Sequence, residues 1–210
     1  MKSLFITFEG GEGAGKSTQI QLLKERLENT GHPVVMTREP GGTPKAEEIR
    51  QLILSGQIKH MGPYSEALMF FIARQNHVEH LIQPALNNGM IVLCDRFSDS
   101  TLVYQGMANN LDIQELKRIE KTVVGDIQPD LTFILDIPAE IGIARARRRQ
   151  QVSATETDRF EAEDLAFHEG LRQGFFKLAK EDKKRYIPVN ATQSESEIAD
   201  IIWHRVQDYL

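Results

Sequence analysis

Short runs of consecutive apolar residues alternate along the chain with longer stretches in which apolar positions recur every three or four residues. The runs at 4–8, 34–36, 90–94, 131–135 and 186–189 are too short for helices and lack polar alternation, which is the pattern of parallel strands buried on both faces. Between them Ile20, Leu23 and Leu27 share one helical face, as do Phe167, Leu171, Phe175 and Leu178, and then Ile198, Ile201, Ile202 and Val206. Residues 64–87 read as one long helix, apolar on more than one side. Ser194 followed by Glu197 forms the capping box that starts the last helix.

This alternation predicts an α/β fold: five parallel strands, right-handed crossovers, helices on both faces, and ligands at the carboxyl ends of the strands. No repeat or flexible linker divides the chain, so 1–210 reads as one domain. The exception in texture is a mobile flap, a lid at about 145–160. There Arg145, Arg147, Arg148 and Arg149 lead into a polar stretch at 150–157.

Composition narrows the function classes. With 40% hydrophobic and 26% charged residues in 210, disorder and fibrous folds are excluded. A net charge of −5 argues against a protein that coats nucleic acid. Cys94 is the single cysteine, which rules out an intramolecular disulfide and a Cys-based zinc or redox pair and points to a reducing compartment. No 18 apolar residues run together, so a membrane span is not expected, and residues 1–8 read as a buried strand rather than a leader. The cytoplasm is the expected location.

The first apolar run leads into Gly10-Gly11-Glu12-Gly13-Ala14-Gly15-Lys16-Ser17, followed by Thr18, which matches the phosphate-binding pattern G-x-x-x-x-G-K-[ST] between strand and helix. The glycines let backbone amides point inward, the helix N-terminus adds positive potential, and Lys16 supplies a full charge for the β and γ phosphates of ATP or GTP. Ser17 places a hydroxyl for Mg²⁺. No N-K-x-D guanine-reading motif follows, and the signature lysine of partition-type switch ATPases is missing where Glu9 and Gly10 stand.

Arg38, in Thr37-Arg38-Glu39-Pro40-Gly41-Gly42-Thr43, and Arg96, in Asp95-Arg96-Phe97-Ser98-Asp99-Ser100, both fall at strand ends. Two guanidinium forks there fit a second phosphate, hence a phosphoryl acceptor. Asp95, closing an apolar strand, suits the acidic residue that reaches the metal directly or through water. An ion pair with a neighbouring arginine is its plainer role. His77 and His80, three apart, lack further ligands in the sequence and read poorly as a metal site.

These motifs, with 70–74 and Tyr104-Gln105-Gly106, resemble the thymidylate kinases in order and over almost the whole chain. The resemblance implies a P-loop nucleoside monophosphate kinase fold, with transfer of the γ-phosphate of ATP to dTMP. It also implies a homodimer, consistent with apolar Leu68, Phe71 and Ile72. By similarity Arg38 and Arg96 hold the dTMP phosphate, Phe70 stacks on thymine, and Arg74, Ser100 and Gln105 contact the base. Tyr104 packs under the sugar, and Glu12 points away from ATP to accept the 3′-hydroxyl. The catalytic set is then Lys16, Asp95, Arg96 and the lid arginines Arg159 first and Arg149 second, since no arginine stands inside the glycine loop. At least two lid-region arginines read as a solvated helix face. The resemblance places the adenine near Asn190-Ala191-Thr192. Two departures are a lid longer than usual at 150–157 and Met107-Ala108-Asn109-Asn110 in place of a glycine run. The competing readings are a kinase for another nucleoside monophosphate, set apart by Arg74, Ser100 and Gln105, and a nucleotide-dependent switch ATPase.

Overall fold

The computed structural model describes residues 2–153, 160 and 162–210. Strand β1 (Leu4–Glu9) runs through the glycine loop into α1 (Lys16–Asn29), and β2 (Val34–Arg38) is followed by α2 (Pro44–Leu54). Helix α3 (Gly62–His77) continues through a π-helical turn at Val78–Ile82 into α4 (Gln83–Asn87). After β3 (Ile91–Asp95) come α5 (Ser98–Thr101), a second π-helical turn at Leu102–Met107, and α6 (Ile113–Val124). Then β4 (Leu131–Asp136) precedes α7 (Ala139–Ser153) and α8 (Leu165–Ala179), and β5 (Tyr186–Asn190) precedes α9 (Glu195–Gln207).

Among the described residues the sheet has five strands, all parallel, in the order β2-β3-β1-β4-β5. The direction of strand addition reverses beside β1, which opens a crevice above its carboxyl end. Register decides which side chains meet there: Phe8 and Arg38 both lie level with Asp95, and Asp136 lies level with Asn190.

The period of two in β1 sends Leu4, Ile6 and Phe8 to one face, where α1 and α9 cover them with Ile20, Leu23, Ile198 and Ile202. Phe5 faces the other way and meets Phe97 edge to face, with ring centroids 4.9 Å apart. Beneath α3 and α8, Phe71, Leu171 and Phe175 pack with Ile134 in a second cluster. Each such ring or aliphatic side chain removed from water contributes roughly 1.5–3 kcal/mol.

Four expectations change in detail. Only β1, β3 and β4 are buried along both faces; β2 and β5 are half exposed, because an edge strand has a neighbour on one side alone. Ile201 is exposed while Ile198, Ala199, Ile202 and Val206 face the sheet, since the buried stripe of α9 is narrower than its apolar run. The long helix begins at Gly62 and carries the π-helical turn. The expected flap at 145–157 is helical as far as Ser153, because α7 propagates through the arginine run; residues 154–159 lie outside the described set. No helix among the described residues is long and apolar enough to cross a membrane.

The capping box forms as expected: Ser194 Oγ accepts from Glu197 N at 3.3 Å and Ser194 N donates to Glu197 Oε2 at 2.9 Å. Ser194→Ala removes the Ser194 side-chain acceptor from α9 and should destabilise the protein by about 1 kcal/mol. A lowered urea midpoint at unchanged slope checks this.

Candidate active site

Helix α1 begins at Lys16 directly after Gly15, whose φ of 89° is left-handed, and no side chain caps its first turn. Its leading amides are therefore available to an anion. Lys16 folds back over the loop, donating to Gly10 O at 3.2 Å and Gly11 O at 2.9 Å. Burial, then the nearby Arg96 charge, lower its pKa. Ser17 Oγ donates to Asp95 Oδ2 at 2.8 Å, so the two oxygens proposed for a metal already meet. Gly13 (φ +66°) lies against the backbone of Gly142 in α7, where a Cβ would overlap the Gly142 carbonyl.

A cleft of about 380 Å³ extends from this loop to α3, lined by residues that include every loop position from Glu12 to Thr18. Gly10 and Gly11 stand behind it. Arg96 is its hub. Its Nη2 meets Glu12 Oε1 at 2.5 Å, its Nη1 donates to Gly10 O at 3.0 Å and to Ser100 Oγ at 3.2 Å, and its guanidinium lies 5.1 Å from the centre of the Tyr104 ring. Tyr104 OH donates to the same Glu12 oxygen at 3.1 Å. Burial opposes ionisation of Glu12, yet Arg96 and Lys16 outweigh it and lower its pKa to about 2. Glu12 thus turns toward Arg96 and Tyr104. Arg38 also lines the cleft but is more than half exposed, with Nη2 on Glu47 Oε2 at 3.0 Å.

Arg96 has a φ of +69°, a conformation that costs a non-glycine residue roughly 1–2 kcal/mol. Glu9 compensates: fully buried at the end of β1, it accepts from Phe97 N at 2.8 Å and from Ser100 Oγ at 2.6 Å. Burial first, then the Asp99 charge, raise the Glu9 pKa from 4.5 to about 7, against the opposing pull of Arg96. Ser100, expected at the base, spends its hydroxyl on this Glu9–Arg96 link.

At the far end Glu39 holds two partners, accepting from Arg74 Nε at 2.7 Å and pairing with His77 Nδ1 at 3.0 Å. Burial pushes the Glu39 carboxyl up, but Arg74 and His77 bring it below the ordinary value. Since an ionised carboxylate only accepts, His77 Nδ1 is the donor to Glu39, and His77 Nε2 meets Thr37 Oγ1 at 2.7 Å. Gly42 (φ +86°) is needed because a Cβ there would strike both His77 and Thr37. His80 bonds Asn76 instead of sharing a ligand with His77.

Arg74 Nη2 donates to Thr101 Oγ1 at 2.9 Å, while its buried Nη1 has no hydrogen-bond partner among the described residues. Phe70 is half-buried and lines the cleft, whereas Phe71 beside it is core. Gln105 lines the cleft next to Tyr104. Of the lid arginines, Arg149 lines the cleft and acts electrostatically on Glu12, and Arg159 lies outside the described residues. Arg145 donates to Ala191 O at 3.1 Å, while Arg147 and Arg148 are exposed and away from the cleft.

Three contributors escaped the sequence reading. Thr101 was masked by its neighbour Ser100, Arg50 carries no motif in α2, and Glu9 looked like the mere end of an apolar run. The signal for Glu9 was a carboxylate where the alternation of β1 demands a buried residue.

A family model described as thymidylate kinase matches residues 8–202. The chain is 50% identical over 206 residues to a protein named thymidylate kinase from Bradyrhizobium sp. (strain ORS 278), covering 98% of this chain and 90% of that one. It is 48% identical over 208 residues to a thymidylate kinase from Nitrobacter hamburgensis, with 99% and 90% covered. The crystal structure of thymidylate kinase from Ehrlichia chaffeensis superposes with a TM-score of 0.78 at 32% identity, covering 99% of both chains.

Glu9 gives the stability of the fold a pH dependence. Between pH 4.5 and about 7 the folded chain keeps a proton that the unfolded chain releases. The stabilisation from this group is complete below 4.5 and is lost as pH rises through about 7. Glu9→Gln removes the titration, so wild-type stability relative to the variant should decline across that window. Urea midpoints at closely spaced pH values measure it, and a constant difference would exclude Glu9 as the titrating group.

Proposed function

The chain belongs to the thymidylate kinase family of ATP-dependent nucleoside monophosphate kinases, and we propose that the cleft between the glycine loop and α3 is where it transfers the γ-phosphate of ATP to dTMP. One observation carries the residue assignment: an uncapped helix N-terminus, an arginine hub and a half-buried ring with an arginine beside it converge on one cleft.

Gly10 to Thr18 cradle ATP, with Lys16 leaving its loop carbonyls for the β and γ phosphates. Arg96 and Arg38 take the dTMP phosphate. Each is now paired to a carboxylate, Glu12 and Glu47, so the incoming dianion competes for guanidiniums that are already oriented. Arg50, at the same wall, adds positive charge. Phe70 stacks on the base, Arg74 Nη1 donates to a base carbonyl, and Gln105 completes the edge. Tyr104, held by Glu12 and lying under Arg96, closes the space beneath the sugar where a 2′-hydroxyl would stand.

A phosphate monoester has a second pKa near ~6, so the acceptor oxygen is largely anionic at neutral pH and no general base is required. The protein's work is alignment and neutralisation of charge. Ser17 and Asp95 fit Mg²⁺, being hard oxygen donors already in contact across the mouth of the phosphate loop. When bound there, the ion would neutralise charge on the nucleotide phosphates. Arg159 is the first lid arginine and Arg149 the second. Support for Arg159 comes from its neighbour in sequence, Phe160, whose ring packs 5.4 Å from Tyr104 and lines the cleft.

The adenine lies by Asn190-Ala191-Thr192, a loop that Arg145 ties to α7. A homodimer in the cytoplasm completes the reading. Met61, Tyr64, Leu68 and Ile72 expose a large apolar stripe at helical spacing on and beside α3, which suits a helix-to-helix interface.

ADP release with ATP and Mg²⁺ should be far higher with dTMP than with dCMP, AMP, GMP or no acceptor, with dTDP as co-product. Equal release without any acceptor would overturn the acceptor-site assignment. Arg159→Ala should lower kcat by about 10³ while the KM for dTMP changes little, the pattern of a contact made in the transition state. An unchanged kcat would remove Arg159 from the mechanism.

A further inference from the structure

Glu66, Phe70 and Arg74 follow one another at four-residue spacing on one face of α3, yet Glu66 is not part of the cleft wall. It stands behind Gln105, which is. Both side chains are almost fully buried, at 3% and 1% exposure, and Gln105 Nε2 donates to Glu66 Oε1 at 2.9 Å. In this geometry Glu66 is the acceptor, so its oxygen takes the NH₂ end of the amide and would repel the carbonyl end. Gln105 is thereby held in one of its two flips, with Oε1 left over. Among the described residues no hydrogen bond reaches that Oε1.

Arg74 is fixed in the same manner. Its Nε is committed to Glu39 and its Nη2 to Thr101, and Nη1 remains, buried and without a partner among the described residues. The wall therefore presents one oriented donor and one oriented acceptor, each held by a buried carboxyl group, Glu39 within the wall and Glu66 behind it.

We propose that Glu66 is a specificity-determining positioning residue: by fixing the flip of Gln105 it makes the base pocket take a pyrimidine with a 4-carbonyl and an N3 proton and refuse one in which both are reversed. The inference rests on the assignment of this cleft to dTMP. Thymine and uracil offer O4 as acceptor and N3–H as donor, which answer Arg74 Nη1 and Gln105 Oε1. Cytosine offers an amino group and a bare N3. Against the fixed pair, donor meets donor and lone pair meets lone pair. Were Gln105 free to turn, its Nε2 would satisfy cytosine N3, and half of the barrier to cytosine would be gone.

The test measures kcat/KM of the full-length enzyme for dTMP, dUMP and dCMP in the wild type, in Glu66→Gln, and in the exchange Glu66→Gln with Gln105→Glu. Glu66→Gln keeps the shape but lets residue 66 either donate or accept, so both flips of Gln105 become available. The expected result is a rise of about tenfold for dCMP, carried by KM, with dTMP and dUMP altered by less than about threefold. In the exchange the carboxylate at 105 again only accepts, and dCMP should return to its wild-type level. A purely structural pair behaves differently: all three acceptors fall by one factor and dCMP gains nothing, which would overturn the proposal. If Glu66→Gln does not fold, the exchange decides alone, because it conserves charge and volume. Retained preference for dTMP over dCMP supports the proposal and a collapsed preference overturns it. A wild type that does not distinguish dTMP from dCMP would instead overturn the base-pocket assignment itself.

Discussion

A carboxyl group with no exposed surface stands at the end of the central strand, and the glycine-loop half of the cleft is organised by the need to satisfy it. Glu9 draws in the Phe97 amide and the Ser100 hydroxyl. Those two bonds hold the chain just after β3 in the course that forces Arg96 into a left-handed backbone conformation. From there Arg96 reaches Gly10, Glu12 and the Tyr104 ring at once. The glycine loop and Arg96 are thus neighbours of the same buried acid, and their relative placement is set by backbone as well as by side chains.

The far end of the cleft repeats the device. Glu39 pairs with Arg74 and His77, and Glu66 accepts from Gln105. Buried carboxyl groups are expensive unless paired and hydrogen-bonded, so these three acids mark places where direction matters more than stability. Two of the three acids sit immediately before or within a motif, Glu9 ahead of the glycine loop and Glu39 inside the arginine–glycine segment. The third lies on α3 with no local signature at all.

That distribution explains what could be read from the chain alone. The strands follow from apolar runs, because a strand covered on both faces admits few polar residues and only with buried partners, and the glycine loop announces itself by its run of glycines before a lysine. The alternation also foretold α9 and its cap. It overestimated the burial of β2, β5 and Ile201, since periodicity records which face is apolar and not how far a neighbour extends over it. Individual roles were harder. Ser100 and Thr101 are adjacent hydroxyls, and which one turns to the acid and which to Arg74 depends on Glu9, a partner ninety residues earlier. Arg50 lines the cleft from α2, a helix that carries no motif to mark it.

The contact of Gly13 with Gly142 joins the phosphate loop to the helix that carries Arg145 and Arg149, backbone against backbone, with a side chain excluded on either partner. For inherited variation the two positions are therefore one locus. The segment beyond α7 can be lengthened or recomposed while its root stays bound to the loop. Change in that segment is thereby kept separate from the geometry of the glycine loop.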